Sequence, residues 1–405
     1  MIQRVAVNKR ARDRVKSGNL WVYKSDIPDF DRYREFERGS VVDITDERDR
    51  FIARGYFNYL SQISLRVLSN KENIEINDNF WRGRLADALN RRKSYFDFKK
   101  TGILRLVFSE ADLLPGLIVD MYGGIIVIQA LSAGAEKFIE TTVSFFEKEL
   151  KPETIYIKND AEIRKLEGLE LYVKFIGNKP AGPVSVCSDG IFYIIDIAGG
   201  QKTGFFADQR RAYAELDGNV TGGRVLDCFS YVGSFSMNAF KYGARESVLV
   251  DISESAIENA RETAKLNKVY DKCSFIAANA FDYLKEESKK AKTGKYSAKE
   301  YFDFVILDPP TFTKSKAGLP KALAGYKEIA LRAVSLMKKK SKLLTCTCSH
   351  HVGSQDFYQS QCDAFKDGGV LAYMLRAGFQ DERDHPILCS MPETLYLKYY
   401  MFQIF

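Results

Sequence analysis

Twelve residues constrain this chain more than any others: Arg224-Val-Leu-Asp-Cys-Phe-Ser-Tyr-Val-Gly-Ser-Phe235. A short apolar-leaning run ends in Asp227, a tight turn carries Gly233, and Phe235-Ser-Met-Asn-Ala-Phe240 reads as a helix start. Strand, turn and helix in that order form the first unit of a doubly wound α/β domain, which binds ligands at strand ends. About twenty residues on, Ser247-Val-Leu-Val-Asp251 is a second buried strand ending in an acid, the usual place for a ribose diol.

The turn does not carry the G-x-G-x-x-G fingerprint, because only Gly233 is present. Dinucleotides need those glycines so that backbone can approach a pyrophosphate. S-adenosylmethionine has a ribose and no phosphate, so a glycine-poor turn suits it better. From Arg224 onward strand and helix patterns alternate, which predicts a largely parallel sheet covered on both faces. Ser274-Phe-Ile-Ala-Ala-Asn279 ends one such strand, with Asn279 available to accept from an adenine amino group. Phe302-Asp-Phe-Val-Ile-Leu-Asp308 ends another, and Pro309 and Pro310 then hold the chain extended so that Asp308 faces the cleft. Lys285 to Glu300 reads as a charged, exposed loop. Lys338 to Lys340 reads as a turn before the strand Leu343-Leu-Thr-Cys-Thr-Cys-Ser349. On that strand Cys346 and Cys348 share a face, so spacing alone does not choose between them as a nucleophile.

Three regions are expected. Residues 1–72 form a small β-rich module, with strands at Val41–Thr45, Phe51–Arg54 and Gln62–Leu68. Residues 73–183 form an α+β middle domain. It opens on a basic helix over Asp78–Phe98 whose apolar positions are Phe80, Leu85, Leu89, Tyr95 and Phe96. Its second helix runs from Glu136 to Leu150, and Asn178–Pro183 is the linker out. Residues 184–405 form the doubly wound domain. The net charge of +7 is modest but unevenly placed. Seven Lys or Arg face the single Asp13 between Arg4 and Lys24, and eight face two acids between Arg82 and Arg105. Two such stretches point to a polyanion, with Lys9, Arg10, Arg12, Arg14 and Lys16 the leading contacts. Trp21 and Tyr23 fit the core of the small module better than a base-stacking surface.

Seven cysteines, an odd number, argue against a disulfide framework, and no C-x-x-C spacing suits zinc. With three histidines and no apolar run near eighteen residues, a cytoplasmic protein without metal or membrane is expected.

These motifs together resemble a known family. Lys202-Thr-Gly-Phe-Phe-Ala-Asp-Gln-Arg210, Cys228-Phe-Ser-Tyr231, Asp308-Pro-Pro310, Gly325-Tyr-Lys-Glu-Ile329, Thr347-Cys-Ser349, Asp384-His-Pro386 and Pro392-Glu-Thr-Leu-Tyr-Leu-Lys398 follow one another in order. Leu131-Ser-Ala-Gly-Ala-Glu136 precedes them. The chain is similar to class I S-adenosylmethionine-dependent RNA methyltransferases, most closely to the RlmI-type enzymes that make 5-methylcytidine in large-subunit ribosomal RNA. The resemblance implies a PUA-like module at the N-terminus, a Rossmann-like methyltransferase domain at the C-terminus, and S-adenosylmethionine as cofactor. It implies Cys348 as nucleophile and Asp308 as its partner at the base. Phe206, Gln209, Asp227, Phe229, Tyr231, Gly233, Asp251, Asn279 and Asp308 become the expected cofactor contacts. Asn279 stands where the family often has an acid, and Thr311 follows the Asp-Pro-Pro motif. Large-subunit ribosomal RNA is the expected partner, and a homodimer is left open. The rival readings are a guanine N7 or exocyclic-nitrogen methyltransferase and a non-catalytic RNA-binding assembly factor.

Overall fold

β1 (Gln3–Ala6) lies parallel to β3 (Ser40–Thr45), and β4 (Phe51–Phe57), β5 (Leu65–Ser69) and β2 (Trp21–Val22) complete a five-stranded sheet in the order β1-β3-β4-β5-β2. The structure, a computed structural model, describes residues 2–178, 181–200, 203–297, 300–313 and 315–405. Alternating apolar residues of these strands close a core of Val5, Val22, Val42, Ile44, Phe57 and Leu65. α1 (Lys9–Lys16) is started by the Asn8 side chain, which accepts from the Ala11 amide. It buries Ala11 and Val15, one turn apart, and leaves Lys9, Arg10 and Lys16 exposed.

The second sheet of this unit has the order β10-β9-β8-β7-β6. Its elements are α2 (Asp78–Tyr95), β6 (Ile103–Phe108), β7 (Leu117–Tyr122), β8 (Ile125–Ala130), α3 (Ala133–Lys137), α4 (Ile139–Leu150), β9 (Thr154–Asn159), α5 (Ile163–Leu166) and β10 (Tyr172–Gly177). The single helix expected from Glu136 is two helices, because Phe138 leaves helical geometry and Ser132 caps the first. Buried Arg66 bridges Glu110 and Glu167 at 3.0 and 3.1 Å, tying the two sheets together. Gly134 packs so closely on the Tyr56 ring that any Cβ there would overlap it.

Two expectations about charge and packing change here. On α2 it is Trp81, Leu85 and Leu89 that are buried, whereas Tyr95 is exposed. The second basic stretch is partly internal. Arg92 is fully buried and grips Asp112 through two bonds of 2.6 and 2.7 Å, and Arg105 grips Asp120 at 2.8 and 2.7 Å. A guanidinium fork fits a carboxylate in this way, and sequence counts cannot tell such pairs from surface charge. Two distant segments, Ile197–Ala207 and Glu382–Thr394, cluster with this unit. Thr203 donates to Asp120 at 2.5 Å, and Arg92 donates to the Asp384 carbonyl at 2.6 Å. Lys179 and Pro180 of the expected linker lie outside the described residues, as does Lys202.

The other unit holds Pro183–Asp196, Asp208–Asp381 and Leu395–Phe405. A hairpin of β11 (Val184–Ser188) and β12 (Ile191–Ile195) precedes α6 (Arg210–Ala214). Then come β13 (Arg224–Cys228), α7 (Ser234–Lys241), β14 (Glu246–Asp251), α8 (Glu254–Leu266), β15 (Cys273–Ala277), α9 (Ala280–Lys292), β16 (Phe302–Leu307), α10 (Leu319–Val334), β17 (Met337–Thr347), α11 (Ser354–Asp367), β18 (Ala372–Phe379) and β19 (Lys398–Ile404). They build one seven-stranded sheet, β15-β14-β13-β16-β17-β19-β18, parallel up to β17 and antiparallel beyond it. The apolar runs of β13, β14 and β16 are buried on both faces, as the sequence predicts for a covered parallel sheet. After β13 the chain builds outward through β14 and β15, then returns to lay β16 on the opposite side. That reversal opens a crevice beside the carboxyl end of β13.

Lys285 to Lys292 is not loop but the second half of α9, where Leu284 and Ser288 are buried and Lys290 pairs with Glu287 at 2.5 Å. Lys338 to Lys340 is not a turn before a strand but part of β17, with Lys338 held by Asp303 at 2.8 Å. In both places paired charges hide an ordered element behind a loop-like composition. Among the described residues, no helix is long and apolar enough to cross a membrane.

Candidate active site

The turn after β13 is held from beneath by Asp227. Its carboxylate is fully buried and accepts from the Ser236 amide at 3.1 Å and the Ser236 hydroxyl at 2.7 Å. Burial pushes this carboxyl up to about 7, with the Asp251 charge adding to the rise and the two Ser236 bonds opposing it. Its Oδ1 is buried with no partner among the described residues. Asp251, at the end of β14, accepts from the Tyr231 and Ser253 amides, both at 2.9 Å, and so clips the turn to the neighbouring strand.

The missing glycines are explained by backbone geometry. Phe229 (φ +64°), Tyr231 (φ +48°) and Gly233 (φ +82°) all adopt left-handed conformations. Two bulky residues thus take positions that glycine would occupy without strain, at a cost of about 1 kcal/mol or more each. At Gly233 a Cβ would also come within 2.8 Å of Leu249.

Asp308 follows β16 directly, and its Oδ1 accepts from Gln209 Nε2 at 2.8 Å. Strand spacing alone did not choose between Cys346 and Cys348, and their surroundings differ sharply. Cys346 is fully buried, 3.9 Å from Gln209 Oε1, and burial followed by the Asp308 charge pushes its thiol well above the usual range. Cys348 lies one residue beyond β17, part exposed, with its sulfur 3.1 Å from the Thr311 hydroxyl. Its two neighbours are clamped by one phenol. Thr347 donates to the Tyr326 hydroxyl at 2.7 Å, and Ser349 Oγ lies 3.3 Å from it. A partly open thiol on a fixed backbone, with a hydroxyl beside it, is the arrangement a nucleophile needs.

The remaining expected residues lie as follows. Asn279 is exposed and caps α9, its carbonyl oxygen accepting from the Phe281 amide at 2.9 Å. Phe281 in turn stands between Phe229 and Phe312, at centroid distances of 6.2 and 5.5 Å. Phe206 is half-buried in the segment that clusters with the first unit. On α1, Arg14 is tied to buried Asp26 at 2.5 Å and to the Trp21 carbonyl at 3.0 Å, and Arg12 pairs with Asp13 at 2.8 Å. Trp21 donates to Glu110 at 2.8 Å, a structural role.

Sequence reasoning missed Ser236, Thr311 and Tyr326, and gave Lys398 no role. Tyr326 and Lys398 stood inside motifs already noted, but only the fold brings them to Cys348.

With this geometry in place, the comparisons are specific. A family model for S-adenosylmethionine-dependent methyltransferases matches residues 171–374, and one for a PUA-like domain matches residues 5–70. The chain belongs to the S-adenosylmethionine-dependent methyltransferase family. Within it, the chain is 35% identical to Ribosomal RNA large subunit methyltransferase I of Alteromonas mediterranea, over 93% of each chain. It is 38% identical to the protein of the same name from Tolumonas auensis, over 89% of this chain and 90% of that one. A solved S-adenosylmethionine-dependent methyltransferase from Streptococcus mutans shares the fold over the whole of both chains, with a TM-score of 0.81 at 20% identity.

Proposed function

We propose that the protein methylates C5 of a cytidine in large-subunit ribosomal RNA through a covalent adduct on Cys348. The observation that carries this reading is the contrast on β17: Cys346 is sealed, whereas Cys348 is part open beside Thr311. The names of its relatives support the RNA, and the exposed Lys9, Arg10 and Lys16 of α1 suit a phosphate backbone.

The residues of the crevice fit S-adenosylmethionine. In this reading Asp251 accepts from ribose hydroxyls, and the buried Oδ1 of Asp227, without a partner among the described residues, is a further acceptor at the foot of the turn. Gln209, Phe229, Tyr231, Gly233 and Asn279 complete the proposed set. When bound, the cofactor supplies an electrophilic sulfonium methyl group.

Cytosine C5 is a weak nucleophile by itself. The Cys348 thiolate adds to C6, forming a C–S bond and making C5 enamine-like, so that C5 takes the methyl group. Loss of the C5 proton to a base then re-forms the C5–C6 double bond and expels the thiolate. Asp308, which accepts from Gln209, is the candidate for a hydrogen bond to the base near N3 that favours addition. The target nucleotide must leave its stack to reach this pocket.

The test is methyl transfer from labelled cofactor to unmodified ribosomal RNA, followed by nucleoside analysis. 5-Methylcytidine is expected. A labelled methylguanosine would replace this reading with the ring-nitrogen or exocyclic-nitrogen alternative, and no transfer by cofactor-bound protein would favour an assembly factor.

A further inference from the structure

Lys398 is a buried cation. It is 5% exposed, and among the described residues its ammonium donates to main-chain carbonyls, Ser349 O at 3.1 Å and Val352 O at 2.9 Å. No carboxylate among the described residues pairs with it. A buried ammonium with no carboxylate beside it is costly to keep, which makes its surroundings worth following.

Its position suggests the use. Lys398 opens β19 directly opposite Thr347 on β17, and both carbonyls it holds belong to the turn that follows Cys348. The ammonium is therefore fixed against the segment carrying the thiol. Burial lowers the Lys398 pKa below its ordinary value, and the Cys348 sulfur pulls it back up, so the two groups sense one another.

The described neighbours of this turn include an acid, a second thiol and a phenol. Asp308, just beyond β16, is acidic, and Cys346 lies on β17. Tyr326 from α10 carries a phenol that burial holds neutral. In the turn itself, His350 packs on Tyr396 at 5.5 Å, and the Tyr396 hydroxyl donates to Asp208.

We propose that Lys398 is a positioning residue that supplies the counter-charge of the Cys348 thiolate, so that the nucleophile is ionised before the RNA base arrives. This rests on the reading of Cys348 as nucleophile. Thr311 then donates its hydroxyl to the same sulfur, and the carbonyl bonds of Lys398 keep the charge in place while the thiol titrates. Deprotonation sends the thiol proton to solvent, and no other bond changes.

The experiment compares the full-length protein with Lys398→Gln, Lys398→Met and Lys398→Arg. The pH dependence of Cys348 alkylation by iodoacetamide is read on the Cys348 peptide, with S-adenosylmethionine affinity as the check on folding. The alkylation midpoint is expected to rise by about one pH unit or more in Lys398→Gln and Lys398→Met, and to stay near the parent value in Lys398→Arg. Methyl transfer near pH 7 should fall about tenfold in the neutral variants and recover as the pH is raised. Coincident midpoints in all four proteins, with transfer lowered at every pH, would overturn the assignment and leave Lys398 a structural clamp. A parent midpoint at the ordinary free-thiol value would overturn it too. Because alkylation is read without RNA, it stays decisive even if Cys348→Ala keeps full transfer, a result that fails the nucleophile reading instead.

Discussion

The turn after β13 and the turn after β17 lie along one sheet edge, yet they are built for opposite charges. The first is lined by carboxylates: Asp227 beneath it and Asp251 beside it, both bonded to backbone amides of the turn or the helix that follows. The second is lined by hydroxyls and a thiol, with a buried ammonium holding the following carbonyls. An acidic turn favours a ligand that carries positive charge, and a sulfonium with an amino group is such a ligand. A turn backed by an ammonium favours an anion, and the anion proposed there is the Cys348 thiolate. In the proposed reading the two turns would hold an electrophile and a nucleophile by opposite electrostatics.

The largest expected effect separates the two cysteines. Cys348→Ala should reduce methyl transfer by on the order of 10³-fold or more while S-adenosylmethionine affinity stays unchanged, measured by initial rates and calorimetry. Cys346→Ala, one strand period away, should keep transfer within a few-fold and lower stability by about 1 kcal/mol. Equal losses in the two would erase the distinction.

Asp227→Asn tests the acidic turn. The folded-state pKa of about 7 lies above the ordinary carboxyl value of 3.8, so the native state holds a proton that the unfolded chain releases. This group's contribution is therefore fully present below about pH 4 and is lost as pH rises through about 7. At pH 8 the Asn variant should be more stable than the parent, by on the order of 1–3 kcal/mol, in thermal or denaturant melts. The same titration should make parent affinity for the cationic cofactor rise through about pH 7 and level off above. The Asn variant should bind weakly and without that dependence.

The smallest effect concerns α1. Replacing Lys9 and Lys16 by Gln should lower the salt dependence of RNA binding by a slope of about 0.7 per charge, about 1.4 in all. The fold should be untouched, because these side chains are exposed. Arg10 and Arg14 are different: both pair with buried Asp26, at 3.4 and 2.5 Å, so removing either changes stability first.

Much of this molecule is legible in its sequence. The strand-turn-helix at Arg224, the acids closing β14 and β16, and the buried strands all follow from apolar runs meeting turn chemistry. Charge-rich segments were less legible. Lys285–Lys292 and Lys338–Lys340 look like loops by composition, and only their pairing with Glu287 and Asp303 shows why they are ordered. Backbone geometry was hidden as well, since nothing in the letters Phe229 and Tyr231 announces a left-handed residue. The partners of Cys348 were hidden for a third reason. Thr311 and Tyr326 come from other parts of the chain, and a β-sheet assembles such neighbours only through long-range register.

The central claim is that Cys348 forms a bond to the base. RNA in which the target cytidine carries fluorine at C5 cannot lose a proton there, so the adduct cannot resolve after methyl transfer. With cofactor present, mass spectrometry of the digested complex should find the methylated fluorocytidine attached to Cys348 and to no other residue. An adduct on a different side chain, or released methylated nucleoside with no adduct at all, would contradict the account.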